Sequence, residues 1–338
     1  LSYAARIVVA AVALYLIFRG EDIGHLSSVL LGISPAVFAA AFALYLASQF
    51  LIALRWFTLL KVQSIDVSLW AAIKLYAMAL FYNNLLPTAM GGDFVKAWYV
   101  TRHTHKKLEA VLSIFVDRTI GLAGIFIMAI SAYLIIPVDI SEPAIDQNNN
   151  TSNILVNIAQ YRAFFLAAAV IVIITVILLV ATTGGRYLIR RLWVFIRQQS
   201  KGFRGRIKTS MLLYYSHKPT LALAMLLSLL CQVLFVFSLW VIAIQAGLQI
   251  PIRYFFVFFP LSWFFGALPI SIGGLGIMEG WIKVMFERVA GADSAAALVL
   301  AVCQRLLLLL GSVPGAVIHL SGAHLPEDIF IDYDESVN

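Results

Sequence analysis

Apolar positions in this chain come in runs long enough to cross a bilayer, separated by short polar segments. The runs cover residues 4–18, 34–60, 108–137, 162–184, 219–246 and 294–321. A hydrocarbon core of ~30 Å takes about 20 residues of helix, so each run predicts a spanning or nearly spanning helix. Two further runs are interrupted. Residues 69–86 run into "LPTAMGGD" (86–93) and resume as "FVKAWYV"; residues 251–268 run into "LPISIGGL" (268–275) and resume as "GIMEGWIKVMF". Proline and paired glycines break helices, and irregular backbone at membrane depth is tolerated only where protein or a wet cavity covers it. The pattern predicts an all-α polytopic membrane protein with about six full transmembrane spans plus two broken, re-entrant hairpins, all within a single membrane domain, 1–338.

Composition agrees with the pattern: 62% of the 338 residues are hydrophobic and 12% charged. A soluble domain of this length needs far more polar surface. The net charge of +7 sits in loops, where it reports orientation and contact with anionic lipid rather than nucleic acid. The basic run 186–208 and "TRHTHKK" (101–107) belong on the cytoplasmic side, and the acidic "PVDISEPAIDQNNNTSN" (137–153) belongs outside. Arg55 and Lys61 place the end of the second span inside as well. With both 61 and 101 inside, the stretch between them enters and returns; a hairpin that crosses completely is the alternative. The first run lacks a small-residue cleavage site, so it reads as a span rather than a signal peptide. Cys231 and Cys303 lie within apolar runs and suggest no disulfide framework.

The two breakers have matching surroundings. Gln49 stands 38 residues before Pro87, and Gln232 stands 37 before Pro269. Arg118 and Arg305 follow the respective prolines, each with a glycine six residues later, Gly124 and Gly311. A duplication of about 48–124 onto 231–311 accounts for the match. The loop charges make the copies run in opposite senses, giving an inverted repeat of the kind that sets a transporter's binding site near the midplane.

Arg118 and Arg305 both fall close to the membrane centre, where a bare guanidinium costs at least ~2.5–3.5 kcal/mol. Two partners suit them. One is internal, Asp117 or the carbonyls of the broken hairpins; the other is a ligand phosphate, which the planar guanidinium fork recognises in bidentate fashion. Gly91 and Gly92 in the first break, and Gly273 and Gly274 in the second, let backbone approach a ligand. The half-helices beyond them present free N–H groups of the kind that bind anions. Asp93 and Glu279 sit in the first turns of those half-helices, where a carboxylate favours the helix dipole; proton coupling is the functional alternative. Lys96 and Lys283, one turn later, suit helix-surface pairs or a ligand path. Asn83 and Asn84, before the first break, can satisfy either broken backbone or ligand. His103 and His105 lack the partners of a metal site, and the chain holds no Walker loop, nucleophile elbow or HExxH motif. No metal or other cofactor is expected.

Taken in order, "NNLLPTAMGGDFVKAW", "DRTIGLAG" and "PISIGGLGIMEG" resemble the flippase-like family built on the lysylphosphatidylglycerol synthase transmembrane region, across nearly the whole chain. The first family motif is matched by Asn83, Pro87, Gly91, Gly92 and Asp93, with Lys96 where the family has arginine. The second is matched by Pro269, Ser271, Gly273, Gly274, Gly276 and Glu279. The resemblance implies a multi-pass protein of the cytoplasmic membrane that binds and moves an anionic phospholipid or polyprenyl-phosphate lipid between leaflets. The alternative is the membrane component of a lipid-modifying enzyme whose catalytic partner is a separate protein. The synthase relatives carry a soluble aminoacyl-transferase domain after the membrane part; here the C-terminal stretch is the short acidic "PEDIFIDYDESVN", so aminoacyl transfer is not implied.

Overall fold

A computed structural model of the chain describes residues 3–19, 22–86, 91–102, 104–135, 201–266 and 271–321. The run at 162–184, most of the basic stretch 186–208, and both Pro87 and Pro269 lie outside the described residues. The chain divides into two compact units, one of residues 1–137 with 213–338 and the other of residues 138–212. Among the described residues all regular structure is helical: α1 (Tyr3–Phe18), α2 (Ile23–Leu31), α3 (Pro35–Val62), α4 (Leu69–Leu85), α5 (Gly91–Arg102), α6 (Lys107–Ile135), α7 (Lys201–Ser216), α8 (Lys218–Gln245), α9 (Ile252–Gly266), α10 (Ile277–Val284) and α11 (Ser294–Leu320). Of the second unit, the described part is 201–212, the first three turns of α7.

Local chemistry sets the helix starts. Ser68 accepts a hydrogen bond from Ala71 N (3.1 Å), and Asp293 accepts one from Ala296 N (2.9 Å), each satisfying an orphan donor of the first turn. Pro35 opens α3 and Pro219 falls in the first turn of α8, where the missing N–H costs nothing. Among the described residues, four helices are long and apolar enough to cross a membrane: Pro35–Val62, Lys107–Met128, Lys218–Gln245 and Ser294–Leu320. They answer to the expected spans at 34–60, 108–137, 219–246 and 294–321. The expected first span corresponds to a shorter apolar helix, Ile7–Phe18. Large apolar side chains such as Phe115, Leu122 and Phe126 stand exposed on α6, as a lipid-facing surface requires.

The long pair α3 and α8 forms the widest helix contact of the first unit. Ser34 N, at the start of α3, donates to Gln245 Oε1 at the end of α8 (2.6 Å). Tyr214, just before α8, donates its hydroxyl to Leu59 O near the end of α3 (3.1 Å). The two helices therefore run antiparallel, and the chain leaves them at opposite ends of the bundle.

A broken hairpin comes after each. In the first, α4 and α5 lie side by side in antiparallel sense: Lys96 Nζ stands 5.6 Å from the Tyr76 ring, and a Cβ built on Gly92 would meet Ala79 O at 2.1 Å. Its two ends meet, because Lys106 Nζ donates to Gln63 O (3.3 Å) and Ser64 O (3.0 Å). In the second, α9 and α10 pair likewise. Phe265 stacks on Trp281 (4.0 Å between centroids), and Phe255 meets Phe286 edge-on at 4.7 Å. Beyond α10 the helix widens into a π turn, Met285–Val289. The most enclosed of the four long helices is α11, with 67% of its apolar window buried against 22% for α3. It packs chiefly on α4 and α10, one limb of each hairpin.

Candidate functional site

The inner ends of the hairpins gather the polar and charged side chains singled out from the sequence. At the first, Asn83 Oδ1 accepts from Gly92 N (2.8 Å), so the asparagine side chain bridges the break from the end of α4 to the start of α5. At the second, Ile272–Gly274 makes a single 3₁₀ turn with Gly273 at φ +55° and Gly274 at φ +72°, left-handed positions that side chains other than glycine adopt at a cost. Gly276 N then donates to Glu279 Oε2 (2.7 Å), the glutamate half of a capping box at the start of α10, glycine having no side chain to return the bond. The expected half-helix donors are thus partly used within the protein, by Asn83 at the first break and Glu279 at the second. The ends touch: a Cβ built on Gly273 would lie 3.4 Å from Asn83 O and 3.6 Å from Asn84 Cα. Asn84 Nδ2 donates to Leu80 O (3.2 Å) and to Leu308 O of α11 (3.4 Å).

Each arginine reaches back to the carboxylate at the start of its neighbouring half-helix. Arg118 Nε, on α6, donates to Asp93 Oδ2 (2.5 Å). Arg305 Nε, on α11, donates to Glu279 Oε1, and its Nη1 donates to Gly273 O (3.1 Å). The partner separations in sequence are 25 and 26 residues. Lys96 joins the first pair, with Nζ 3.0 Å from Asp93 Oδ1 and 5.0 Å from the Trp56 ring. It is 1% exposed, a full positive charge held among aromatic faces.

Asp117 is not the partner of Arg118. It pairs with Arg55 of α3, whose Nε donates to Asp117 Oδ1 (2.7 Å) and whose Nη1 donates to Ser228 Oγ of α8 (3.0 Å). Successive helical residues point about 100° apart at 3.6 residues per turn, so Asp117 faces α3 and α8 while Arg118 faces the start of α5. Both members are buried, Arg55 at 5% and Asp117 at 2% exposed. The Arg55 pair is what the sequence reading missed. That reading used Arg55 as an orientation marker, although seven residues of α3 lie beyond it, about 10 Å at 1.5 Å per residue. Its depth in an apolar run was the available signal.

The glycines downstream of the two arginines also have matched roles. A Cβ on Gly124 would stand 2.5 Å from Ser228 Oγ of α8, and one on Gly311 would stand 2.3 Å from Tyr45 Cε1 of α3. Tyr45 and Ser228 are separated by the same 183 residues as Gln49 and Gln232. Gly124 therefore lets α6 close on α8, and Gly311 lets α11 close on α3.

This geometry sits in a chain whose residues 3–315 match the family model described as the lysylphosphatidylglycerol synthase TM region. The chain belongs to this family. A curated relative, a UPF0104 membrane protein of Methanothermobacter thermautotrophicus, is 22% identical over 308 residues, covering 90% of each chain. Against the family framework, the structure places Asn83, Gly91, Gly92, Asp93, Lys96 and Arg118 around the first break, and Ser271, Gly273, Gly274, Glu279 and Arg305 around the second. Lys283, also considered from sequence, points elsewhere: its Nζ donates to Ile17 O of α1 (3.2 Å). Among the described residues, no group of three or more His, Cys, Asp or Glu side chains is placed to hold a metal ion.

Proposed function

We propose that this membrane protein binds the head group of an anionic phospholipid or polyprenyl-phosphate lipid at the adjoining hairpin breaks and carries it between leaflets. The observation behind the reading is the pair of arginines within the long apolar helices α6 and α11, each tethered to a carboxylate at the start of a broken helix. An arginine so placed has a counter-ion in the resting protein and a fork that can pass to a phosphate oxygen when lipid enters. Two further observations support an inverted repeat with re-entrant hairpins. The first hairpin's ends are joined by Lys106, and α3 and α8 run antiparallel, so the hairpins approach one another from opposite ends. Alternating exposure of such hairpins would change which leaflet the breaks face. The family description, which names a lysylphosphatidylglycerol synthase region, agrees with a lipid ligand.

The test is lipid movement in reconstituted vesicles. Arg118→Gln and Arg305→Gln should each slow transfer of a fluorescent anionic phospholipid by roughly tenfold or more, the cost of losing one charged hydrogen bond at ~1.5–3 kcal/mol. Rates equal to wild type for both variants would end the proposal. The same family description supports a second reading, a membrane component of a lipid-modifying enzyme. Incubation of labelled lipid with membranes containing the protein would then yield a new lipid species, whereas a translocase leaves the lipid chemically unchanged.

A further inference from the structure

The charges at and around the two breaks balance except in one place. Arg55 is matched by Asp117 and Arg305 by Glu279, so each pair adds zero. At the first break two cations meet one carboxylate: Arg118 Nε lies 2.5 Å from Asp93 Oδ2, and Lys96 Nζ lies 3.0 Å from Asp93 Oδ1. Two positive charges against one negative leave a formal charge of +1. Residues 87–90, 267–270 and the apolar run 163–184 hold no charged side chain, so they leave the count unchanged.

Hydrogen bonding does not supply the missing negative charge. Among the described residues Asp93 Oδ1 accepts no hydrogen bond although Lys96 Nζ is close, so that oxygen is met by Coulomb attraction alone. Glu279 has both oxygens occupied, by Arg305 Nε and Gly276 N. The unpartnered atoms of the second break, Ser271 Oγ, Gln304 Oε1 and Arg305 Nη2, belong to neutral groups or to a cation already paired. Neither set alters the count.

The excess charge also sits deep. From Lys107, where α6 starts, to Arg118 the helix rises about 16 Å at 1.5 Å per residue, half of a ~30 Å hydrocarbon core. Lys96 is 1% exposed, with the Trp56 and Tyr76 rings 5.0 and 5.6 Å from its amino group. A charge so enclosed is screened little by salt, and it experiences the membrane potential when the break changes the side it faces.

We propose that the membrane potential drives this protein, because the empty protein carries the excess charge through the field and the loaded protein carries none. A lipid with one negative charge brings the first break from +1 to zero. The loaded step is then electroneutral, and the return of the empty site is the step that voltage acts on. Across a membrane negative inside, the empty site is drawn to the cytoplasmic face, where it reloads, and net movement of the anion is outward. No coupling ion is required. This inference rests on the lipid-binding reading and adds a driving force to it. One charge crossing the whole field shifts an equilibrium about fiftyfold per 100 mV, and a barrier midway shifts the rate about sevenfold.

Proteoliposomes of the full chain test it, with the potential set by valinomycin and a potassium gradient. The probe is fluorescent phosphatidylglycerol added to the outer leaflet, and transfer is read as protection from dithionite. In exchange mode unlabelled phosphatidylglycerol fills both leaflets, so the site always crosses loaded. In net mode the probe is the sole anion in phosphatidylcholine vesicles, so the site must return empty. Neither readout depends on the direction of protein insertion, because the empty site always returns to the leaflet that holds the probe. Wild-type exchange should be the same with and without a potential of about 100 mV, and net transfer should change by up to about sevenfold, faster with a positive lumen. Lys96→Met makes the empty site neutral and the loaded site negative, so its exchange should become voltage-dependent. Lys96→Arg should keep the wild-type pattern whatever its rate. Wild-type exchange that varies with voltage, or net transfer that does not, overturns the proposal and leaves the lipid-binding reading standing. No protein-dependent transfer in either mode overturns both. The wild-type comparison needs no variant, so it decides the matter even if a substitution prevents folding.

Discussion

Arg55 and Asp117 show most directly how one residue's surroundings set its energetics. Removing one member leaves the other charged, buried and uncompensated, which costs ~3–5 kcal/mol, whereas replacing both with apolar side chains of similar volume is often close to neutral. Arg55→Met should therefore lower the thermal unfolding midpoint in detergent sharply, and Arg55→Met combined with Asp117→Leu should recover much of the loss. Equal destabilisation by the single and double variants would show that the pair contributes through packing rather than charge. Arg118 lies one residue from Asp117 and behaves differently, since its side chain is 44% exposed. Its neutralisation should affect lipid transfer more than stability. Neither assignment was legible from the dipeptide "DR", because adjacent charges suggest a local pair and helical geometry sends them to different neighbours.

Among the elements, α4 and α5 have the tightest approach. The Gly92 Cα lies so close to α4 that an added methyl would overlap the Ala79 carbonyl at 2.1 Å, a backbone atom that cannot swing aside. Gly92→Ala should separate the limbs, costing roughly 1–3 kcal/mol as an overpacking change, and should reduce the yield of monodisperse protein. Gly205→Ala is the control. Among the described residues nothing lies within 4 Å of its Cβ position in α7, so helix propensity acts and should stabilise by up to ~1 kcal/mol. From the sequence, both glycines of the first break are expected to let backbone approach a ligand; at Gly92 the close neighbour is the α4 backbone. Identifying what approaches Gly92 required the antiparallel pairing of the two limbs.

Orientation across the membrane belongs to the whole molecule. Cys231 and Cys303 are both buried, so an introduced cysteine can be read against a quiet background. Thr104→Cys, in the loop that Lys106 ties to the end of α3, should react with an impermeant maleimide from the cytoplasmic side only. Asn149→Cys, in the acidic stretch, should react from the outside only. Labelling of Thr104→Cys from outside would reverse the loop assignment and, with it, the direction in which the first hairpin enters.

The sequence by itself determined the class of the protein and its punctuation: an apolar chain that must satisfy its backbone in helices, broken twice by proline and paired glycine, with an arginine downstream of each break. Those features arise from run length, composition and backbone restriction, which act locally and can be read along one dimension. Partners are a different matter. Asp93 meets Arg118 and Glu279 meets Arg305 because α6 and α11 each pass the start of a broken helix, and Asp117 meets Arg55 because α3 and α8 cross α6 on its other face. Which charge neutralises which depends on helix direction and on side-chain azimuth at 3.6 residues per turn, and only the tertiary structure decided it.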